Sequence, residues 1–482
     1  MSILNDLQPT SVFHYFEEIC SIPHTSFHEK ELSNYCVKFA QDRGLFVQQD
    51  AMGNVIIIKE ATPGYESVEP IMLQGHLDMV GAKTEDCTTN LETDGLTLLV
   101  EGDFICADRT TLGADDGIAV AYALAILDAD DIAHPRLEVI LTVSEEVGLL
   151  GASAIDLSVC KAKRLINIDS EEEGIITAGC AGGRRTCMII PVEREVRQGI
   201  LVQLHLEGLK GGHSGMEIHK GRANANVLLG RLLFMMKESL EFHLLSLSGG
   251  VKENVIPSGG ICEFLVAEEN IPTLKGVIKK FEGLMQQEYA SADSEIHVTY
   301  KEVYNKETSN PLTEDSLNKV LQVINLHPNG VQSMSADLEG LVETSLNLGV
   351  VELSEQEFIL KSSIRSSVSS AKAYLADKLT MLAQMAGGNI TFSGDYPAWP
   401  YARNSRLRDI CVEVFEQQYG RKPEITVIHA GLECGILSSK IEGLDCVSIG
   451  PNLFDIHSPK EKVSISSVQR VWEYVKAVLA AK

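Results

Sequence analysis

Short apolar runs separated by helical patterns occupy both ends of the chain. The runs at 55–58, 70–74, 137–143 and 165–168 have the length of buried strands, and the alanine-rich segment 117–127 between them has the character of a buried helix. Apolar strands alternate with helices in this way where a sheet is covered on both of its faces. The two ends are therefore predicted to form an α/β domain.

The middle of the chain has a different pattern. Its strands are longer and alternate between apolar and polar residues, as at 201–207 and 357–365, and amphipathic helices lie among them. A region with apolar faces of its own to bury is typical of a separate domain. We therefore predict an α/β domain made of residues 1–187 and 397–482, with residues 188–396 inserted into it as an α+β domain.

The acidic composition limits the partners that the chain can bind. Lysine and arginine total 41 against 67 aspartate and glutamate residues, which gives a net charge of -26. Nucleic acids and anionic membranes bind proteins through basic side chains, so neither is an expected partner. No secretory signal and no apolar run of about 20 residues can be found in the sequence. The eleven cysteines form no CxxC pair, which predicts a reducing cytoplasm and no disulfide framework.

Histidine and acidic residues follow several of the predicted strands. His76 and Asp78 come directly after the run at 70–74, Glu145 and Glu146 follow 137–143, and Asp169 follows 165–168. Ligands of open α/β sheets bind at the carboxyl ends of the strands. A histidine followed by an acid is also a common way to hold a metal-binding imidazole in one orientation. Each motif taken alone is equally consistent with a solvated turn.

Two further segments complete a set of possible metal ligands. Asp115 lies between glycines ahead of a helix, where an aspartate alone is typical of a helix N-cap, and His457 lies in a loop near the end of the chain. Together with His76, Glu146 and Asp169 they give two imidazoles and three carboxylates. One catalytic zinc ion usually takes three protein ligands. The set therefore predicts two metal ions that share a carboxylate, and its donors suit zinc, cobalt or manganese.

The motifs that contain these residues match one known family in the same order along essentially the whole chain. The chain resembles the aminoacyl-histidine dipeptidases of the dinuclear-zinc exopeptidases. The resemblance implies a zinc-exopeptidase-like catalytic domain, an inserted α+β lid and dimerisation domain, a homodimer formed through that insert, and a dipeptide substrate such as β-Ala-His. The matching segments are 75–80, 110–117, 144–148, 167–174, 179–183, 209–215, 343–347, 428–435 and 457–459.

The same resemblance implies a role for each residue of the metal centre. It implies that His76 and Asp169 bind one metal ion, that Glu146 and His457 bind the other, and that Asp115 bridges the two. It further implies three features around these ligands: Asp78 as the residue that orients His76, Glu145 as the general base, and a cis peptide bond between Asp115 and Asp116.

Residues of the insert and of the last segment are candidates for substrate binding. His213 lies between glycines that allow close approach of the backbone, and it is expected to donate a hydrogen bond to the oxyanion. Arg365 suits the planar carboxylate of a free dipeptide, with Asn254 beside it. His429 and Glu433 are further candidates for the substrate pocket.

Two alternative functions remain open from the sequence. The same metal motifs would serve an acylase or desuccinylase that acts on N-acyl amino acids. A protein that binds metal without catalysis is the other alternative, although an intact Glu145 beside a full ligand set favours an enzyme.

Overall fold

The protein consists of two compact units. The computed structural model describes residues 3–336 and 338–482, and of residues 304–307 it describes the backbone alone. Residues 188–396, which were predicted to form the insert, all lie in the second unit, and this unit also contains residues 181–187, 397–398 and 428–431. The first unit comprises Met1–Cys180, Trp399–Val427 and Leu432–Lys482, and the second comprises Ala181–Ala398 and Ile428–Gly431.

The first unit is built on an eight-stranded sheet. Its strands, in spatial order, are Phe46–Gln49, Val55–Lys59, Leu137–Thr142, Ile71–His76, Arg164–Asn167, Asp445–Ser448, Ile175–Cys180 and Glu424–Ile428. Its helices are Thr10–Cys20, Lys30–Asp42, Ala114–Asp128, Leu150–Ala154, Arg406–Tyr419, Glu433–Lys440 and Ile465–Ala480. A smaller sheet joins Leu453–Phe454, Lys462–Ser464, Phe104–Ala107 and Leu98–Glu101.

Burial explains why the central elements of this unit form where they do. Every residue of the strands Ile71–His76 and Leu137–Thr142 is buried, as expected for strands that are covered on both faces. The helix Ala114–Asp128 is apolar on nearly all sides and is buried almost throughout. Tyr122 of this helix stacks on Trp472 of the last helix, with ring centroids 5.9 Å apart. The sheet and these helices therefore form one core.

The second unit is an α+β structure with a nine-stranded sheet. Eight strands follow the order His297–Ser309, Arg197–Glu207, Gly260–Val266, Phe242–Gly249, Val342–Leu353, Glu357–Ser366, Gly182–Pro191 and Asn389–Tyr396, and Gly330–Met334 pairs with Val342–Leu353. The α-helices are Ala225–Lys237, Ile271–Glu288, Glu314–Leu326 and Ser369–Met385, and two short 3₁₀ helices are Ile218–Lys220 and Glu268–Asn270. The strands Gly212–His213 and Val255–Ile256 form a separate small sheet.

The second unit has an apolar core of its own, made mainly from these helices and the face of the sheet that they cover. Its first α-helix begins at Ala225, because the side chain of Asn224 caps it by accepting hydrogen bonds from the N–H groups of Asn226 and Val227 at 3.0 and 3.3 Å. All eleven cysteines are free. Of the helices that the structure describes, none combines the length and the apolar composition that a bilayer crossing requires.

Candidate metal centre

Parallel strand pairing brings three of the predicted segments to one edge of the sheet. His76 is the last residue of its strand and pairs with Thr142, the last residue of the neighbouring strand. Glu145 and Glu146 follow Thr142 after two intervening residues. On the other side, Gln74 pairs in parallel with Asn167, two residues before Asp169. Because parallel strands end at the same edge, these side chains converge although they are far apart in the sequence.

Asp115 lies between the two histidines. Its Oδ1 atom is 3.1 Å from Nε2 of His76, and its Oδ2 atom is 3.1 Å from Nε2 of His457. Nε2 of His457 is also 2.8 Å from Oε1 of Glu146, and Nε2 of His76 is 3.6 Å from Oδ1 of Asp169. The peptide bond between Asp115 and Asp116 is cis. One carboxylate therefore faces two imidazoles, one with each of its oxygens.

Asp78 contacts His76 through its backbone oxygen, and its carboxylate contacts other neighbours. Nδ1 of His76 is 2.9 Å from the backbone oxygen of Asp78 and 3.6 Å from its carboxylate. The carboxylate instead accepts hydrogen bonds from the N–H groups of Glu145 and Glu146, at 2.8 and 3.2 Å, and from the hydroxyl of Ser26. Asp78 therefore orients His76 through its main chain and holds the Glu145–Glu146 segment through its side chain.

The ionisation of the cluster follows from its burial and its excess of acids. Burial alone would raise the pKa of Asp115, but hydrogen bonds with His457 and His76 hold that pKa well below its usual range. Asp115 and Glu146 in turn raise the pKa of His457 to about 10. Burial raises the pKa of Glu145 well above its usual range, and the neighbouring carboxylates of Asp169, Glu433 and Glu146 add to this. Without a bound cation the surrounding acids favour the protonated form of both imidazoles, and a histidine gives up this proton when it binds a metal ion.

The donor set fits divalent metal ions. Within the described residues, three groups of histidine and acidic side chains could each hold a metal ion, because their ligand atoms lie within 4.8 Å of one another. Carboxylates outnumber imidazoles in these groups. Buried carboxylates at such spacing need positive charge, and divalent cations supply it. The three groups are His76 with Asp116 and Asp169, His76 with Glu145 and Glu146, and Asp115 with Glu146 and His457.

The second unit brings together three of the residues predicted to bind substrate. A Cβ atom on Gly215 would lie 3.0 Å from Cε1 of His213, 3.2 Å from Cζ of Arg365 and 2.7 Å from the backbone oxygen of His429. Only a glycine leaves room for the three to approach so closely. His213 also pairs with Val255 in the small sheet, next to Asn254. These residues form a cluster within the second unit.

The hydrogen bonds of this cluster define what it can donate. Nδ1 of His213 accepts a hydrogen bond from the N–H group of Met216 at 3.1 Å, which leaves the proton of the neutral ring on Nε2. Burial, and then the charge of Arg365, lower the pKa of His213, so the neutral form is favoured. Nη1 of Arg365 donates to the hydroxyl of Tyr396 at 3.1 Å, while the buried Nε atom of Arg365 has no hydrogen-bond partner among the described residues.

Comparisons with known proteins identify the family. The chain is 38% identical to the cytosol non-specific dipeptidase of Escherichia coli (strain K12) over 481 residues, which is 99% of each protein. The crystal structure of aminoacylhistidine dipeptidase from Vibrio alginolyticus superposes with a TM-score of 0.92 at 38% identity, over 99% of this chain and 98% of that one. The family model for the M20 peptidase dimerisation domain matches residues 204–293. The chain belongs to the M20 metallopeptidases. It is therefore a hydrolase of peptide bonds, as the motifs predicted.

A more distant solved structure shares the fold alone. Aminopeptidase PepT from Bacillus cereus superposes with a TM-score of 0.56 at 16% identity, over 98% of each chain. The α/β domain with an inserted dimerisation domain, predicted from the sequence, is thereby confirmed for this M20 enzyme. The matched dimerisation segment lies inside the predicted insert.

Glu433 was predicted to bind substrate together with residues that all belong to the second unit. It belongs to the first unit of this M20 enzyme, where it is fully buried and its Oε2 atom accepts hydrogen bonds from Gln74 and, at 2.6 Å, from the hydroxyl of Thr142. Burial raises the pKa of Glu433 to about 7. The charges of His76 and Asp169 also act on its carboxyl group, so Glu433 shares the surroundings of the candidate metal ligands.

Sequence reasoning missed two buried acids at the centre of this M20 enzyme. Asp116 accepts a hydrogen bond from the N–H group of His76 at 3.0 Å. Glu461 accepts hydrogen bonds from the backbone that leads to Asp115. The sequence could have pointed to Asp116 because it is adjacent to Asp115, and to Glu461 because it lies four residues after His457.

A cavity of about 660 Å³ borders the metal centre within the first unit. Glu146 forms part of its wall together with Phe27, Met79, Leu91 and Val147. Its volume lies in the range of sites that bind small molecules, and its walls combine these apolar side chains with polar ones such as Lys83 and Asn90. A small ligand can therefore lie next to Glu146.

Proposed function

We propose that this M20 metallopeptidase is a dipeptidase that hydrolyses unblocked dipeptides, including Xaa-His dipeptides such as β-Ala-His. The observation that carries the proposal is the carboxylate of Asp115, whose two oxygens each lie 3.1 Å from a different imidazole. The names of the two relatives that match along the whole chain support it, because both are dipeptidases.

The residues around Asp115 would hold two divalent metal ions, for which zinc is the first candidate and cobalt or manganese are the alternatives. Asp115 would bridge the ions, and each of the remaining four ligands would bind one of them. When bound, such a pair supplies Lewis acidity and lets water act as a nucleophile at neutral pH. The assignment is His76 and Asp169 for one ion, and Glu146 and His457 for the other.

Glu145 is the proposed general base. It is not needed as a ligand because Glu146 fills that role, and its backbone is fixed by the hydrogen bond to Asp78. Its carboxylate would accept a proton from the attacking water and deliver the proton to the leaving amine. Burial among acids raises the pKa of Glu145, and a carboxylate with a raised pKa is a stronger base.

The cluster of the second unit is proposed to bind the rest of the substrate. His213 can donate its Nε2–H group to the carbonyl oxygen that gains negative charge during the attack. Arg365 can bind the free carboxylate through a pair of N–H groups, with Asn254 and His429 beside it. Glu433, which was expected in this group, is assigned instead to the surroundings of the metal ligands.

The dimerisation segment supports a homodimer formed through the second unit. Light scattering coupled to size-exclusion chromatography should give twice the mass of one chain. The Escherichia coli relative is named a cytosol protein, and together with eleven free cysteines this supports a cytoplasmic location. Cell fractionation would check the location.

The proposed activity is tested with metal-free protein and a panel of substrates. Chelation should abolish the release of amino acids from β-Ala-His, Ala-His and Gly-Gly. Zinc, cobalt or manganese should restore the release, and the order of restored rates identifies the preferred metal.

N-acetyl amino acids in the same panel separate the dipeptidase from an acylase. The proposal expects turnover of the unblocked dipeptides and little turnover of the blocked compounds. Faster hydrolysis of the N-acetyl compounds would support the acylase, and metal binding without any turnover would support a protein that binds metal without catalysis.

A further inference from the structure

Glu461 is a buried acid that connects two loops of the metal centre. It lies four residues after His457, and only 2% of its surface is exposed. Its carboxylate accepts hydrogen bonds from four consecutive backbone N–H groups of the loop that leads to Asp115. Oε2 accepts from Leu112 at 2.8 Å and Gly113 at 3.0 Å, and Oε1 accepts from Ala114 at 2.8 Å and Asp115 at 3.3 Å.

The number of donors matches what a carboxylate can accept. An ionised carboxylate has two oxygens and about four lone-pair sites, and it donates no hydrogen bond. Here each oxygen accepts two N–H groups, so the acceptor sites are filled by one short stretch of backbone. The N–H group of Glu461 itself donates to the backbone oxygen of Ser458 at 3.1 Å, which ties the carboxylate to the residue directly after His457.

The two tied loops supply ligands that must meet. His457 and Asp115 are separated by 342 positions in the sequence, yet Nε2 of His457 lies 3.1 Å from Oδ2 of Asp115. The side chain of His457 is 45% exposed, against 1% for His76, so packing around His457 itself restrains it less than it restrains His76. The hydrogen bonds of Glu461, four residues after His457, supply the restraint that burial supplies to His76.

We propose that Glu461 is a positioning residue that holds the His457 loop in register with the Asp115 loop and so fixes the separation of these two metal ligands. The inference rests on the proposed function, because it assumes that the two residues bind metal. Glu461 acts through the backbone of other residues and is not itself a ligand in this scheme.

The proposal predicts a specific effect of removing the carboxylate. In Glu461→Gln, one oxygen becomes an NH₂ group that cannot accept a hydrogen bond and faces two N–H donors. Residues that orient metal ligands typically change metal affinity by about 10–100-fold when they are replaced. Zn²⁺ affinity at the weaker of the two sites should therefore fall by about 10–100-fold, measured by competition with a chromophoric chelator well below the unfolding temperature.

Amide hydrogen exchange of the metal-free protein gives a readout that does not depend on metal. The N–H groups of residues 112–115 should exchange slowly in the natural sequence and faster in Glu461→Gln. If Glu461→Gln does not fold, Glu461→Asp serves instead, because its charge is kept but its shorter side chain cannot span the same four donors.

Glu138→Gln is a matched control. Glu138 is also fully buried, and its carboxylate accepts hydrogen bonds from the backbone of Lys161 and Ala162 and from Nε of Arg136, far from the metal ligands along its strand. Its replacement should leave both Zn²⁺ affinity and exchange at 112–115 unchanged. If Glu461 contributed only to the stability of the fold, Glu461→Gln and Glu138→Gln would give the same Zn²⁺ affinity and the same exchange at 112–115.

The outcomes separate this proposal from the proposed function. Faster exchange at 112–115 together with weaker Zn²⁺ binding supports the positioning role. Unchanged Zn²⁺ affinity overturns it, whether or not the exchange changes. If the natural sequence itself binds no Zn²⁺, the proposed function fails, and the positioning role fails with it even if the exchange result shows the contact.

Discussion

Replacement of Glu145 by glutamine tests the proposed base without removing a metal ligand. The substitution keeps the size of the side chain and the backbone hydrogen bond to Asp78, which is made by the N–H group of residue 145. It removes only the charge and the ability to accept a proton. The metal content should stay the same, because Glu146 and not Glu145 is assigned as the ligand.

The expected loss of rate follows from the value of a positioned base. Such a base contributes about 10²- to 10⁴-fold, which corresponds to about 2.7–5.4 kcal/mol of activation free energy. The loss should fall on kcat, with KM nearly unchanged, because Glu145 is assigned no contact with the bound substrate. Burial and the carboxylates around it raise the pKa of Glu145, so a neutral amide should also leave the thermal stability unchanged or higher.

The assay is the release of histidine from β-Ala-His, with metal content measured on the same sample. The Glu138→Gln variant is the control for replacing a buried glutamate, and it should retain its activity. A Glu145→Gln enzyme with full activity would refute the assigned base. A variant that has lost activity together with one of its metal ions would show that Glu145 is a ligand.

Three further predictions concern the second unit. Arg365→Ala should lower kcat/KM for free dipeptides by about 10- to 150-fold, the value of a charged hydrogen bond, and should leave hydrolysis of dipeptide amides unchanged. His213→Ala should lower kcat by about 10²- to 10³-fold at constant metal content; an unchanged kcat would contradict its role as a donor. Burial lowers the pKa of His327 to about 4, from an ordinary value of 6.5. As the pH falls, the imidazole of His327 is therefore protonated in the unfolded chain before it is protonated in the folded protein. Its contribution to the free energy of unfolding is complete above pH 6.5 and is lost as the pH falls towards 4. Urea unfolding should show a loss of about 2 kcal/mol between pH 7 and pH 5 from this residue, and His327→Gln should not show this part of the loss.

The elements of the fold could be predicted where their hydrophobic pattern is regular. The strand Leu137–Thr142 is buried throughout and the helix Ala114–Asp128 almost throughout, and both could be located within a few residues. The strand Asn389–Tyr396 lies at an edge of its sheet and is mostly exposed, so its sequence has no apolar pattern that distinguishes it from a loop. Edge strands depend on their neighbours for hydrogen bonds, and the sequence does not name those neighbours.

The metal centre could be predicted further than the substrate residues because chemistry restricts its ligands to a few residue types. His76 and Asp169 stood out because such residues at strand exits suggest metal ligands even before the strands are paired. Glu461 could not be recognised in this way, because its partners are backbone N–H groups that every residue carries. The hydrogen bond between Gln74 and Glu433 could not be predicted either, since the two residues are 359 positions apart in the sequence.

The central claim is that Asp115 bridges two metal ions, and metal stoichiometry tests it most directly. Metal-free protein and its variants are loaded with Zn²⁺, dialysed and analysed for zinc per chain. The account predicts two ions in the natural sequence, one in His457→Ala and none held tightly in Asp115→Ala. Two ions retained in Asp115→Ala, or only one ion bound by the natural sequence, would contradict it.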